Sequence, residues 1–142
     1  MDVVYLDNNA TTRPADEVIE AMTLHLSTLY GNPSSVHRFG QRSRQSIDQA
    51  RATVAELIGC ADSELIFTGG GTEAINLAIR SLLKSRAPRR RIVTSTVEHS
   101  ATRELCKVLA EDGFEIVEIP VDREGLLDLD RLASTVDDQT AL

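Results

Sequence analysis

The residues with the clearest chemical potential are Gly69-Gly70-Gly71-Thr72, set between an apolar stretch at Glu64 to Thr68 and a helical pattern that follows. A helix N-terminus carries amides without intrahelical acceptors and a partial positive charge, so it draws anions, phosphate above all. Glycines let such a group approach the backbone, and the Thr72 hydroxyl can add a hydrogen bond. Three consecutive glycines ahead of a threonine favour anion binding over a plain tight turn. A P-loop needs GxxxxGK followed by Ser or Thr, and no lysine follows these glycines. The dinucleotide fingerprint stays open. Gly69, Gly71 and Ala74 fit GxGxxA, and Glu98 stands at the end of the next strand, where a ribose-binding acid would sit, although the interval is long. His99 is the other candidate. A lone histidine at a strand exit is more often solvated than catalytic, but ligands gather beyond the carboxyl ends of parallel strands. Glu98 and His99 would then face the same crevice as the glycines.

The elements that must position these groups follow from periodicity. Val3 to Leu6 suits a short strand, and a polar loop runs from Asp7 to Arg13. Pro14 then opens a helix with Val18, Met22, Leu26 and Leu29 along one side. Turn chemistry at Tyr30 to Ser35 ends it, and a second helix is expected from Ser35 to Ile58, with Ile47, Ala50, Val54, Leu57 and Ile58 buried and Gly59 as its stop. From about residue 60 strand and helix signals alternate, which argues one α/β layer structure. Strands are expected at Glu64–Thr68, Ile92–Thr96 and Phe114–Ile119; helices are expected after the glycines, over Ala101–Glu111, and near Asp128–Val136. Thr140-Ala141-Leu142 has the pattern of a strand just starting, which gives the chain the look of a fragment.

With 142 residues the chain suits one domain, 1–142, with no second domain. The formal net charge of −7 argues against general binding to nucleic acid or anionic membrane. Arg89-Arg90-Arg91, behind Pro88, reads as a solvated loop. Cys60 and Cys106 match neither a disulfide framework nor a metal-binding spacing, and both read as small buried residues; no metal site is expected. No signal layout or membrane-length apolar run directs the chain out of the cytoplasm.

Five segments together resemble the cysteine desulfurases, in the class V aminotransferase group of fold type I pyridoxal-phosphate enzymes. They are YLDNNATT at Tyr5 to Thr12, GNPSSVHRFG at Gly31 to Gly40, Ala50-Arg51, FTGGGTEAINLAI at Phe67 to Ile79, and EHSA at Glu98 to Ala101. Their order and intervals are family-like over essentially the whole chain, and GNPSSVHRFG is similar to the iron–sulfur-cluster branch. Gly69 departs from the serine usual in the family's cradle.

The resemblance implies a three-layer α/β/α fold, with residues 1–142 forming the N-terminal part of the cofactor-binding large domain and residues 1–13 a leading strand and substrate-side loop. It implies pyridoxal 5′-phosphate as cofactor, with Gly71 and Thr72 at its phosphate and His99 stacked on its ring as a catalytic residue. Ala10 and Thr11 correspond to positions on the substrate side; Asn32 and His37 belong to a family-typical loop with a structural role expected. The implied activity is release of sulfur from L-cysteine, leaving L-alanine and a persulfide for an acceptor protein, in a homodimer. The family's Schiff-base lysine, its aspartate at the pyridine nitrogen and its loop cysteine have no match here. Lys84 and Lys107 lie in helical patterns, so these 142 residues alone are expected to be inactive. A selenocysteine lyase or an aminotransferase of the same group would share the cradle.

Overall fold

The computed structural model describes residues 4–142, and the chain divides into two compact units, Met1–Ile66 and Phe67–Leu142.

In the first unit, α1 (Asp16–Ser27) begins two residues after Pro14. Asp16 and Glu17 lie in its first turn, where acids complement the helix dipole, and Arg13 pairs with Asp16 at 2.6 Å. The expected apolar side of this helix is exposed at Val18, Met22 and Leu26 and only half-buried at Leu29. Amphipathic spacing selects a face but does not supply something to cover it.

The second helix, α2 (Arg38–Ile58), starts three residues later than expected. The missing residues are spent on turns. Asn32 Oδ1 accepts from the Ser34 amide at 2.9 Å, the Ser35 amide donates to the Asn32 carbonyl at 3.0 Å, and His37 Nδ1 caps the helix by accepting from the Gly40 amide at 3.3 Å. This loop lies close against α2: a Cβ on Gly31 would stand 2.6 Å from the Phe39 carbonyl oxygen, and one on Gly40 2.5 Å from that of Ser35. Both positions therefore require glycine. The buried face of α2 carries Gly40, Ser43 and Ala55, with Ile47, Arg51 and Val54 half-buried, whereas Ala50, Leu57 and Ile58 are exposed. Ser43 is tolerated there because its hydroxyl donates to the Leu29 carbonyl at 2.9 Å. Gly59 ends the helix in the left-handed region, at φ 71°.

Two expected strands are not observed. Val3 lies outside the described residues, and Val4 to Leu6 are irregular and exposed. Glu64 ends a 3-10 turn, Asp62–Glu64, and Leu65 to Thr68 have no regular structure. A strand exists only through ladder bonds with a neighbour, and this segment joins no ladder among the described residues; the Leu65 carbonyl instead accepts from Arg51 Nη1.

In the second unit, α3 (Gly71–Ser85), β1 (Arg91–Ser95), α4 (Ser100–Glu111), β2 (Glu115–Ile119) and α5 (Leu129–Thr135) follow in order. β1 and β2 pair in parallel, from Arg91 opposite Glu115 to Ser95 opposite Ile119, and α4 is their crossover. Thr140 forms a parallel bridge with Arg91, the Ala141 amide donates to the Arg91 carbonyl at 2.7 Å, and the Val93 amide donates to the Leu142 carbonyl at 2.8 Å. The last residues, expected to start a strand, thus pair with β1 through a single bridge and form no strand of their own. Leu83, Ile92, Leu105, Leu109 and Ala141 form the core, with Ile79, Phe114 and Ile116 packed against it. Arg91 ties the strands together through Glu115 at 2.8 Å and Asp137 at 2.5 Å. Among the described residues no helix is long and apolar enough to cross a membrane.

Candidate functional site

The glycine turn sits at the start of α3, with Gly70 as the N-cap residue and no side chain capping the helix. The first intrahelical bond runs from the Ala74 amide to the Gly70 carbonyl at 3.1 Å. The amides of Gly71, Thr72 and Glu73 precede it and take no acceptor among the described residues. Around them lies an open hollow of about 620 Å³, lined by residues 69–73 and Asn76. Gly69 to Glu73 are all exposed.

The fold itself does not require glycine at positions 70 and 71, whereas a Cβ on Gly69 would stand 3.2 Å from Glu73 Oε2. None of the three has a left-handed φ, and a Cβ on Gly70 or Gly71 would meet nothing within 4 Å. Glycine in a helix's first turn costs stability, because its backbone loses more freedom on folding. A turn that carries this cost without a steric reason suits a ligand that must approach the backbone closely. A phosphate fits: three amides converge, the dipole is favourable, and the exposed Thr72 hydroxyl makes no hydrogen bond among the described residues.

Two side chains that sequence reasoning missed shape this turn. Glu73 Oε2 accepts from the Gly69 amide at 2.7 Å, and Asn76 Nδ2 donates to the Thr72 carbonyl at 2.9 Å. Thr68 Oγ1 donates to the Gly70 carbonyl at 3.1 Å from the other side. The signals were present in the spacing: Glu73 is the third helical residue, where a capping-box acid reaches back, and Asn76 lies one turn beyond Thr72.

His99 is the N-cap of α4, and its Nδ1 accepts from the Ala101 amide at 3.1 Å. An accepting Nδ1 carries no proton, so the neutral ring bears its hydrogen on Nε2. Thr72 and Asn76 of α3 line a hollow of about 340 Å³ together with Ser100 and Ala101, the residues that follow His99. The starts of α3 and α4 therefore lie side by side, which brings the glycine turn and the capping histidine to one end of this unit. Ala10 and Thr11 belong to the first unit. Both are exposed, in a turn whose amides donate to the Asp7 carbonyl at 3.2 and 3.5 Å.

The other reactive side chains of this unit lie away from the glycine turn. Cys106 is buried in α4, and its thiol is pushed up, first by burial and then by the negative charges of Glu118 and Glu98. Such a thiol is a poor nucleophile. Cys60, expected to be buried, is half-buried just beyond the end of α2. Lys107 pairs with Glu104 at 2.7 Å, and Lys84 lies in the last turn of α3. The dinucleotide reading loses its support: that fingerprint needs a strand running into the glycines, and Leu65 to Thr68 do not form one.

The sequence profile of the family described as aminotransferase class-V matches residues 4–142. Cysteine desulfurase 2 of Trichormus variabilis is 44% identical over 142 residues, which is all of this chain and 36% of that protein. Among solved structures, a NifS-like protein superimposes with a TM-score of 0.88 at 37% identity, over 94% of this chain and 37% of its own. SspA in complex with cysteine gives 0.83 at 30% identity, over 92% of this chain and 38% of its own. The chain thus spans little more than a third of the length of the relatives it matches, and its mixed helix and strand fold is that of part of the fold type I large domain.

Proposed function

The chain belongs to the aminotransferase class-V family, and on that premise we propose that it is the N-terminal part of a cysteine desulfurase. The observation that carries the reading is the α3 turn, where glycines the fold does not need leave three amides open to a phosphate. Gly71 and Thr72 would hold the phosphate of pyridoxal 5′-phosphate through their amides and the Thr72 hydroxyl. When bound, that cofactor supplies the electron sink needed to break bonds at the substrate's α- and β-carbons.

His99 would stack on the cofactor ring while its Nδ1 stays on the Ala101 amide. A ring fixed in this way keeps one tautomer and one orientation, which suits a group that passes a proton. Ala10 and Thr11 are assigned to the substrate side, and residues 1–142 to a single large domain. The substrate is L-cysteine, the sulfur goes to an acceptor protein, and the complete protein is a cytoplasmic homodimer. These 142 residues alone do not turn cysteine over, because Lys84 and Lys107, the only lysines, stand on helices away from the cradle turn.

Equilibrium dialysis of the 142-residue chain against pyridoxal 5′-phosphate and against NAD tests the reading. Retention of pyridoxal phosphate, reduced by Gly71→Ala, is expected; preferential retention of NAD would sink it. Alanine release from L-cysteine by the chain alone would overturn the assignment of inactivity.

A further inference from the structure

The arginine run at residues 89–91 does not behave as one solvated loop. Arg91 turns inward to Glu115 and Asp137, while Arg89 and Arg90 turn towards the far end of α3. There they join Arg80 and Lys84 around a hollow of about 420 Å³ whose floor is apolar: Leu83, Leu109 and Phe114. Lys84 is twelve residues beyond Thr72 on α3, so at ~1.5 Å per residue this hollow lies about 18 Å along the helix from the glycine cradle.

The cations at this rim are not neutralised. Arg80 and Lys84 take part in no ion pair among the described residues. Arg89 and Arg90 donate only to backbone carbonyls, those of Thr140 at 3.5 Å and Asp112 at 3.4 Å. Arg90 also stacks over the Phe114 ring at 4.8 Å, which holds its guanidinium at the rim without cancelling its charge. Asp112 is the single carboxylate in the lining. Four cations gathered around one acid repel each other, and in a chain of net charge −7 carboxylates to pair with them are plentiful.

We propose that this hollow is a docking site for an acidic peptide segment of a partner protein, carrying one bulky apolar residue. The apolar side chain would rest in the hollow against Phe114, Ala87 and Pro88, above the core residues Leu83 and Leu109, and flanking carboxylates would meet Arg80, Lys84, Arg89 and Arg90. Nucleic acid fits less well, since the surrounding chain is acidic and a nucleic-acid backbone has nothing to place on an aliphatic floor. A small phosphate compound fits less well too, since the cationic side chains are exposed to water and the lining between them is apolar.

The probe is a fluorescein-labelled pentapeptide with one leucine between two pairs of glutamates, titrated into the 142-residue chain by fluorescence anisotropy. Saturable binding is expected, weakened on the order of tenfold when the leucine is replaced by alanine. Lys84→Gln and Arg89→Gln should each weaken it about threefold, and Arg123→Gln, outside the hollow, should leave it unchanged. Circular dichroism melts of each variant confirm that the fold is retained. Absence of binding, equal affinity for the alanine peptide, or displacement by millimolar pyrophosphate alone would overturn the proposal. So would self-association of the chain that is abolished by Arg89→Gln without any peptide binding, which would assign the surface to a second copy.

Discussion

Replacing Gly71 by Ala separates what the fold wants at the cradle from what a ligand wants. The substituted Cβ meets no atom within 4 Å, and Gly71 is the first residue of α3. Removing glycine's conformational freedom at a compatible helical position is worth about 0.5 kcal/mol. Without ligand the variant should therefore melt about 2 °C above the parent chain. A ligand at a hundred times its Kd stabilises the parent by about 2.7 kcal/mol; if the new methyl weakens binding tenfold, the same concentration gives the variant about 1.4 kcal/mol. The order then reverses, with the parent ahead by about 0.8 kcal/mol, or about 3 °C. Differential scanning calorimetry with and without pyridoxal 5′-phosphate reads both values. A variant that melts below the parent without ligand would show that the fold does need Gly71. Equal stabilisation of both by the ligand would show that the phosphate does not approach this backbone.

His99→Ala removes the cap of α4 and should cost about 1 kcal/mol in urea denaturation, whereas His99→Asn, which can accept the same amide, should restore most of it. Equal losses in the two variants would refute the capping role. The Asp137 carboxyl is held below the usual carboxylate range, first by the Gln139 amide and then by Arg91. Its folded value lies below its unfolded one, so its contribution is present above about pH 4 and is lost as pH falls through the folded value. Asp137→Asn should accordingly flatten the acid side of a plot of urea midpoint against pH; an unchanged slope there would contradict this. Cys60 should react with Ellman's reagent well before Cys106, whose thiol is buried and kept protonated, and similar rates would argue against the burial described.

Much of the second unit was legible from local signals. The helix after the glycines, the strand from Arg91, the crossover helix and the strand to Ile119 all fall within a residue or two of their patterns, because each carries its own apolar period and stop. The cradle was legible for the same reason. A run of glycines before a helix states its backbone chemistry in consecutive residues, and the adjacent Thr72 supplies the hydroxyl. The role of GNPSSVHRFG was legible only as a family resemblance; its physical basis, the close approach of that loop to α2 at Gly31 and Gly40, depends on atoms five and eight residues apart.

What the sequence by itself determined is therefore local: helix spans, turn chemistry, a glycine turn at a helix start and the family pattern. The tertiary structure alone decided which patterns acquire partners. Leu65 to Thr68 has strand composition and no ladder; α1 has an apolar side and no cover; His99 leaves the class of loop residues to become a helix cap. Arg89, Arg90 and Arg91 are identical in type and consecutive, yet one is drawn between two carboxylates and the others reach a hollow built by two helices. The physical reason is that ladder bonds, burial and charge pairing are made between groups remote in the chain, and one residue's composition does not specify which group arrives beside it.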